Sequence, residues 1–172
     1  MTDAWPSKKE YEAALRNINL RLESLAARAG STMAKARAYG TADQSGIPIN
    51  AVTKVNLNAE SYDPGSSFDI VNYKFVAPVS GYYHVSFVVS WTAVLSGGIY
   101  SAFCWVNGGE VCSAGAHASS ANNITAAGSD VIYLAAGAYV ELYGAHWVVA
   151  GNSTILGASN ATWLAIHLLS GV

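Results

Sequence analysis

Charge is scarce in this chain: 12% of its 172 residues are charged, 52% are apolar, and the formal net charge is −2. An apolar share that high excludes a disordered tail. Long apolar runs are missing too. No stretch approaches the ~18–20 uninterrupted apolar residues of a membrane span, and Met1 to Pro6 lacks the basic-then-apolar order of a secretory signal. One soluble domain with a small appendage, made in a cytoplasm and without membrane insertion, is the expectation. Cysteine is confined to Cys104 and Cys112, which lack a CxxC spacing and a nearby histidine, so zinc and thiol redox roles are not expected.

Cations are nearly absent from most of the sequence. Seven of the nine (Lys8, Lys9, Arg16, Arg21, Arg28, Lys35 and Arg37) precede Ala38, and the remaining 135 residues hold only Lys54 and Lys74 against seven acids. A nucleic-acid binder needs a concentrated basic face to neutralise phosphates. Seven cations spread over 37 residues among four acids do not make one, so no nucleic-acid partner is expected. The partition instead divides the chain into residues 1–36 and 37–172.

The first segment reads as a helix. Ser7-Lys8-Lys9-Glu10 has the spacing of a capping box, with Trp5-Pro6 just ahead, so the helix should begin near Lys8. Tyr11, Leu15, Ile18, Leu22, Leu25 and Ala29 recur at steps of 4, 3, 4, 3 and 4, the seam of a coiled coil, and Gly30 supplies a stop. Glu12 and Arg16 are placed for an i,i+4 ion pair. About three heptads are too short to associate alone, so the seam is useful where another contact already gathers copies. The stripe is narrow, and Gly30 to Asn50 reads as a linker. Self-association is therefore favoured over packing on the chain's own domain.

From Ala51 the pattern changes to short runs rich in Val, Ile, Tyr, Phe and Trp separated by turn clusters: Val52–Leu57, Tyr73–Val76, Tyr82–Trp91, Ile99–Val106, Glu110–Ala116, Asp130–Leu134, Tyr139–Val149 and Thr162–Leu169. Such spacing predicts a β-sandwich or jelly roll. Period-two alternation puts Tyr83, Val85, Phe87, Val89 and Trp91 on a core face, and Tyr82, His84, Ser86, Val88 and Ser90 on the other, partly covered by a neighbouring subunit. Phe75, Leu142, Leu164, Ile166 and Leu168 join the expected core. Asn107-Gly108-Gly109 predicts a hairpin whose three-residue loop would set Cys104 opposite Cys112. Two buried free thiols are expected of a protein folded in a reducing cytoplasm; a cross-strand disulfide is the alternative.

Gly46-Ile47-Pro48-Ile49-Asn50, Tyr62-Asp63-Pro64-Gly65 and Phe68, followed by the run Phe75-Val76-Ala77-Pro78-Val79-Ser80-Gly81-Tyr82-Tyr83-His84-Val85-Ser86-Phe87, resemble the globular head of complement C1q and its tumour-necrosis-factor-like relatives. Val106-Asn107-Gly108, Leu134 to Leu142 (with Ala138 where that family carries an acid) and Thr162 to Leu169 resemble its later landmarks. The resemblance spans about Arg37 to Leu169. It implies a mainly β, ten-stranded antiparallel jelly roll that assembles as a homotrimer behind a stalk, here a coiled coil. The usual calcium-coordinating acids are not recognisable, and there is no collagenous Gly-X-Y stalk. A stalk-plus-head chain of this Ala-rich, Lys-poor kind looks like the appendage tips of bacteriophages.

Catalytic chemistry finds no local signature. No Gly-x-Ser-x-Gly elbow is present. His84, His117, His146 and His167 lack ligand spacing, and turn chemistry accounts for Asp63, Glu110 and Asp130 without a glycosidase pair. No enzyme, cofactor or metal is expected, and a hydrolase is a remote alternative. The Asn-x-Ser/Thr triplets at Asn123, Asn152 and Asn160 carry no glycan argument without a secretory signal. Their surroundings, Gly115 to Ser129 and Gly151 to Asn160, have the composition of exposed hydrogen-bonding loops. Candidate recognition residues are His117, Ser119, Asn122, Asn123, Asn152, Ser153 and Thr154. The expectation is a trimeric virion protein, a minor tail or fibre tip. Its partners would be itself, other virion proteins through the N-terminal segment, and a host-surface glycan or protein. A capsid decoration or head-fibre trimer is the rival.

Overall fold

The computed structural model describes the backbone of residues 7–171 and the side chains of all of these except 27–33. The capping box forms as the spacing predicts. The Ser7 and Glu10 side chains bond reciprocally, with the Ser7 amide donating to Glu10 Oε2 at 2.7 Å and the Glu10 amide to Ser7 Oγ at 3.4 Å. These bonds from Ser7 hold the Glu10 carboxyl below its ordinary value. Trp5-Pro6 and the Ala29 side chain lie outside the described residues. Helix α1 runs Lys8–Met33, so Gly30 does not stop it. A glycine inside a helix costs only ~1 kcal/mol, and the end is set instead by the strand that starts two residues later. Among its described side chains Glu12 pairs with Lys8 at 3.9 Å rather than with Arg16.

Among the described residues thirteen strand segments follow. One sheet holds β1 (Lys35–Tyr39), β2 (Gln44–Ile47), β4 (Ala59–Tyr62), β7 (Gly81–Thr92), β10 (Ile124–Leu134), β12 (Ser153–Ile155) and β13 (Trp163–Gly171). The other holds β3 (Thr53–Lys54), β5 (Phe68–Asp69), β6 (Lys74–Val76), β8 (Ile99–Val106), β9 (Gly109–His117) and β11 (Tyr139–Trp147). The first is ordered β2-β12-β7-β13-β1-β4 with β10 on the far edge of β7; the second is ordered β5-β6-β11-β8-β9 with β3 beside β11. All pairings are antiparallel. The segments exceed the ten expected because the loops contribute fragments as short as the two-residue β3 and β5.

The two sheets enclose the core. Tyr83, Val85, Phe87, Val89 and Trp91 are all buried, as the alternation of β7 predicts. Phe75, Leu142, Leu164 and Ile166 are buried with them, whereas Leu168 is only half-buried and packs on the cluster edge. Glycine sets the spacing at two close approaches. A Cβ on Gly128 would lie 2.6 Å from the Phe87 ring, and one on Gly144 would lie 2.8 Å from the Trp91 ring.

The supposed linker Gly30 to Asn50 contains β1 and β2, and β1 straddles the boundary at residue 36. Ala36 and Ala38 are buried between the outward-facing Lys35, Arg37 and Tyr39. Alanine carries little strand preference, and the pairing of β1 with both β13 and β4 supplies what local sequence does not. The β8–β9 turn is Asn107-Gly108, both at positive φ (50° and 82°), a two-residue loop rather than three. A bulge at Val111 takes up the difference. Cys104 therefore still faces Cys112, and both are free thiols, Cys104 buried and Cys112 half-buried.

Candidate functional site

The strand directions define two ends. Helix α1 enters β1 at Lys35, which pairs with His167; the same end carries the start of β7 and the end of β10, where Gly81 pairs with Leu134 and Gly171. At the opposite, distal end lie the β7–β8 loop (93–98), the β9–β10 loop (118–123) and the β11–β12 loop (148–152).

Ser119, Asn122 and Asn123 lie exposed in the second distal loop, Asn152 lies exposed in the third, and His117 is exposed at the end of β9. Ser153 and Thr154 are not loop residues. They belong to β12, where Thr154 pairs with Thr92 and Ser153 is buried, with its hydroxyl facing Ala93 O and the Tyr100 hydroxyl. Gly115 to Ser129 likewise divides into the ends of β9 and β10 around a loop of residues 118–123. Small residues on either side of that loop belong to strands and are closely approached by neighbours, as Gly128 is by Phe87 and Gly115 by Ser101.

The distal loops are tied together by backbone. Gly97 N donates to Ala118 O at 2.7 Å, Ala118 N donates to Gly98 O at 2.9 Å, and Ser96 Oγ donates to Ser119 O at 3.1 Å. Beside this zipper is a cleft of about 360 Å³ lined by Ser96, Gly97, Gly98, Trp147, Val148 and Val149. Trp147 is 40% exposed, and the Phe103 ring meets it edge-on at 6.2 Å. Trp147 pairs with Ile99 across β11–β8, and Ile99 pairs with His117 across β8–β9, which places the three in one row. Trp147 and Val149 carry no local sign of a surface role in the sequence. An aromatic in a strand-like run reads as core, and only the register shows it at a strand's distal end.

The histidines separate into different roles. His146 is fully buried, stacked on Tyr100 at 5.6 Å and edge-on to Trp91, with Nε2 donating to Ile47 O at 2.9 Å. His84 and His167 are register partners across β7–β13, a proximity that sequence spacing does not reveal. His167 lies 2.7 Å from the Tyr62 hydroxyl, in a recess of about 630 Å³ that also includes Lys35, Asp63 and Pro64. Burial, then His84 and Lys35, push its pKa below the ordinary histidine value. Asp63 Oδ2 accepts from the Phe68 amide at 2.7 Å, which braces the turn after β4. Among the described residues no three His, Cys, Asp or Glu side chains gather as a metal site would require. No described helix is long and apolar enough to cross a membrane. In the second sheet the buried Glu141 binds Lys54 and accepts from the Tyr143 hydroxyl at 3.1 Å.

No protein-family model and no curated protein matches the sequence. The fold is matched by solved structures. Eiger TNF from S. frugiperda superposes with a TM-score of 0.64 at 10% identity, over 80% of this chain and 93% of that one. The globular domain of zebrafish complement 1qA superposes at 0.57 and 15% identity, over 80% and 98%. Murine APRIL superposes at 0.60 and 12% identity, over 78% and 98%. Residues beyond the helix thus have a C1q/tumour-necrosis-factor-like jelly-roll fold.

Proposed function

We propose that this chain is a structural bacteriophage virion protein that assembles as a homotrimer. In this reading residues 1–36 align the trimer and join it to other virion proteins, and the head projects its distal loops toward the host surface. Carrying the reading is one arrangement: a bare apolar seam at one end and uncharged hydrogen-bonding loops at the other. Tyr11, Leu15, Ile18, Leu22 and Leu25 are between 43% and 59% exposed, so the head of the same chain leaves them uncovered. The adjoining face of the first sheet adds Tyr82, Val131, Tyr133 and Leu169, all about half exposed, with Tyr82 edge-on to Tyr133 at 5.7 Å. Apolar surface continued from helix to sheet fits a second and third copy of the chain. Three weak distal contacts on one trimer would gain by multivalent attachment, which is why a surface binder suits this assembly. The reading is of a binding and structural protein rather than an enzyme.

Immunogold labelling of particles tests it: label at an appendage tip, with the isolated trimer binding host envelopes, is the expected result. Label distributed over the capsid shell would replace the tip assignment with a decoration protein. A chain absent from purified particles would overturn the virion role.

A further inference from the structure

We infer that the distal cleft between Trp147 and the Ser96-Gly97-Gly98 backbone, together with the 118–123 loop zipped to it, is a binding site for a neutral saccharide. This deepens the reading above by naming the ligand class of the distal end. The first ground is shape. The cleft of about 360 Å³ falls within the ~300–1,000 Å³ range of small-molecule sites. Two of its six lining residues, Gly97 and Gly98, have no side chain. A Cβ on Gly98 would lie 2.5 Å from Val148 Cγ1, and Gly97 has φ +84°, so neither position readily takes a side chain that would fill the cleft.

The second ground is chemistry. Trp147 offers a half-exposed ring held in place by Phe103. Val149, 97% exposed, extends the apolar strip at the tip. The same end of the head carries hydroxyls and amides: Ser119, Ser120, Asn122 and Asn123 on the loop zipped to Ser96-Gly97-Gly98, and Asn152 on the loop that follows Val149, all exposed. An aromatic platform with amide- and hydroxyl-bearing loops at the same end matches a sugar, which presents an apolar C–H face and a rim of hydroxyls.

The third ground is charge. Between Lys74 and Asp130 the only charged residue is Glu110, and none follows Glu141. None of the three distal loops therefore contains a Lys, Arg, Asp or Glu. Glu110 lies at the other end of β9 from His117, beside the Asn107-Gly108 turn. A sulfated, phosphorylated or carboxylated glycan would find no cation there, so the match is to uncharged sugars.

The test is binding of the full chain to an array of immobilised neutral and anionic saccharides, with Trp147→Ala and Val149→Lys alongside. Expected are hits among neutral sugars, unchanged between 50 mM and 500 mM salt and weakened about tenfold or more by Trp147→Ala. Val149→Lys sits on a fully exposed side chain and cannot unseat the core, so it guards against misfolding of the tryptophan variant; it should weaken binding too. Hits confined to anionic sugars, binding untouched by both variants, no saccharide binding, or capture only of a protease-sensitive host protein would each overturn the inference. Light-scattering mass on the same samples separates it from the assembly reading: a trimer that binds no sugar refutes only the site, and a sugar-binding monomer refutes only the assembly.

Discussion

The Tyr62 hydroxyl lies 2.7 Å from Nε2 of His167, joining β4 to β13 across the intervening β1. His167 is also the register partner of Lys35 on one side and His84 on the other. Burial first, then these two neighbours, disfavour its protonated form, and its pKa is lowered from 6.5. A histidine with a depressed folded pKa binds its proton more readily in the unfolded chain. Its contribution is complete above the ordinary histidine value and is lost as pH falls below it toward the folded value. Melting temperature should therefore drop between pH 7.5 and 5.5, and the drop should be smaller in His167→Gln. Equal drops in both proteins would remove His167 as the source.

Gly144 faces the Trp91 ring, where an added Cβ would meet ring carbon at 2.8 Å and Ile155 Cδ1 at 3.1 Å. Trp91 also packs against the stacked Tyr100 and His146 rings, at 5.6 Å and 5.7 Å, so it has little room to retreat. Gly144→Ala should destabilise the head by about 1–3 kcal/mol, measured by urea unfolding. A neutral result would mean that the second sheet yields more easily than this packing implies.

Glu141 is 8% exposed and binds Lys54, which also donates to Asn72 O. Removing the acid alone leaves the ammonium half of a largely buried pair; Glu141→Ala should cost about 3 kcal/mol, the low end for a broken buried pair because Lys54 keeps some water. The double variant Lys54→Met with Glu141→Leu should recover much of that loss in the same unfolding assay. A double variant no more stable than the single one would show that the stacked Trp105 and Tyr143 rings beside the pair, 4.3 Å apart, need the carboxylate itself.

Burial pushes the Cys104 thiol up, reinforced by Cys112, and burial followed by Asp130 pushes Cys112 up. Neither presents much thiolate at neutral pH. Mass spectrometry after iodoacetamide treatment at pH 7.5 should find Cys104 unmodified in the native protein and both residues fully alkylated after denaturation without reductant. Incomplete alkylation in the denatured sample would reveal a bridge.

How much the sequence discloses varies with how local the cause is. The capping box and the core face of β7 depend on spacing within one element, and both appear as spacing predicts. The Cys104–Cys112 register follows from one turn, even though the loop is one residue shorter and a bulge restores the count. β1 was hidden because Ala36 and Ala38 owe their place to partners more than a hundred residues away on β13. Ser153 and Thr154 look like loop for the same reason: a short strand held by β7 and β2 has loop-like composition. The distal cleft needs two segments about fifty residues apart, the β7–β8 loop and the end of β11 with the loop after it, to be brought together. The composition of the 118–123 loop hinted at it, but Trp147 was identified only by register.

The central claim is assembly, since both the alignment of the helix and the reinforcement of weak distal contacts depend on it. Multi-angle light scattering of the full chain at micromolar concentration addresses it directly. The account predicts about three times the 18.0 kDa chain mass, falling toward one chain when Ile18 and Leu22 on the helix and Tyr82 and Tyr133 on the sheet are together replaced by Asp. A wild-type mass of 18.0 kDa would contradict it.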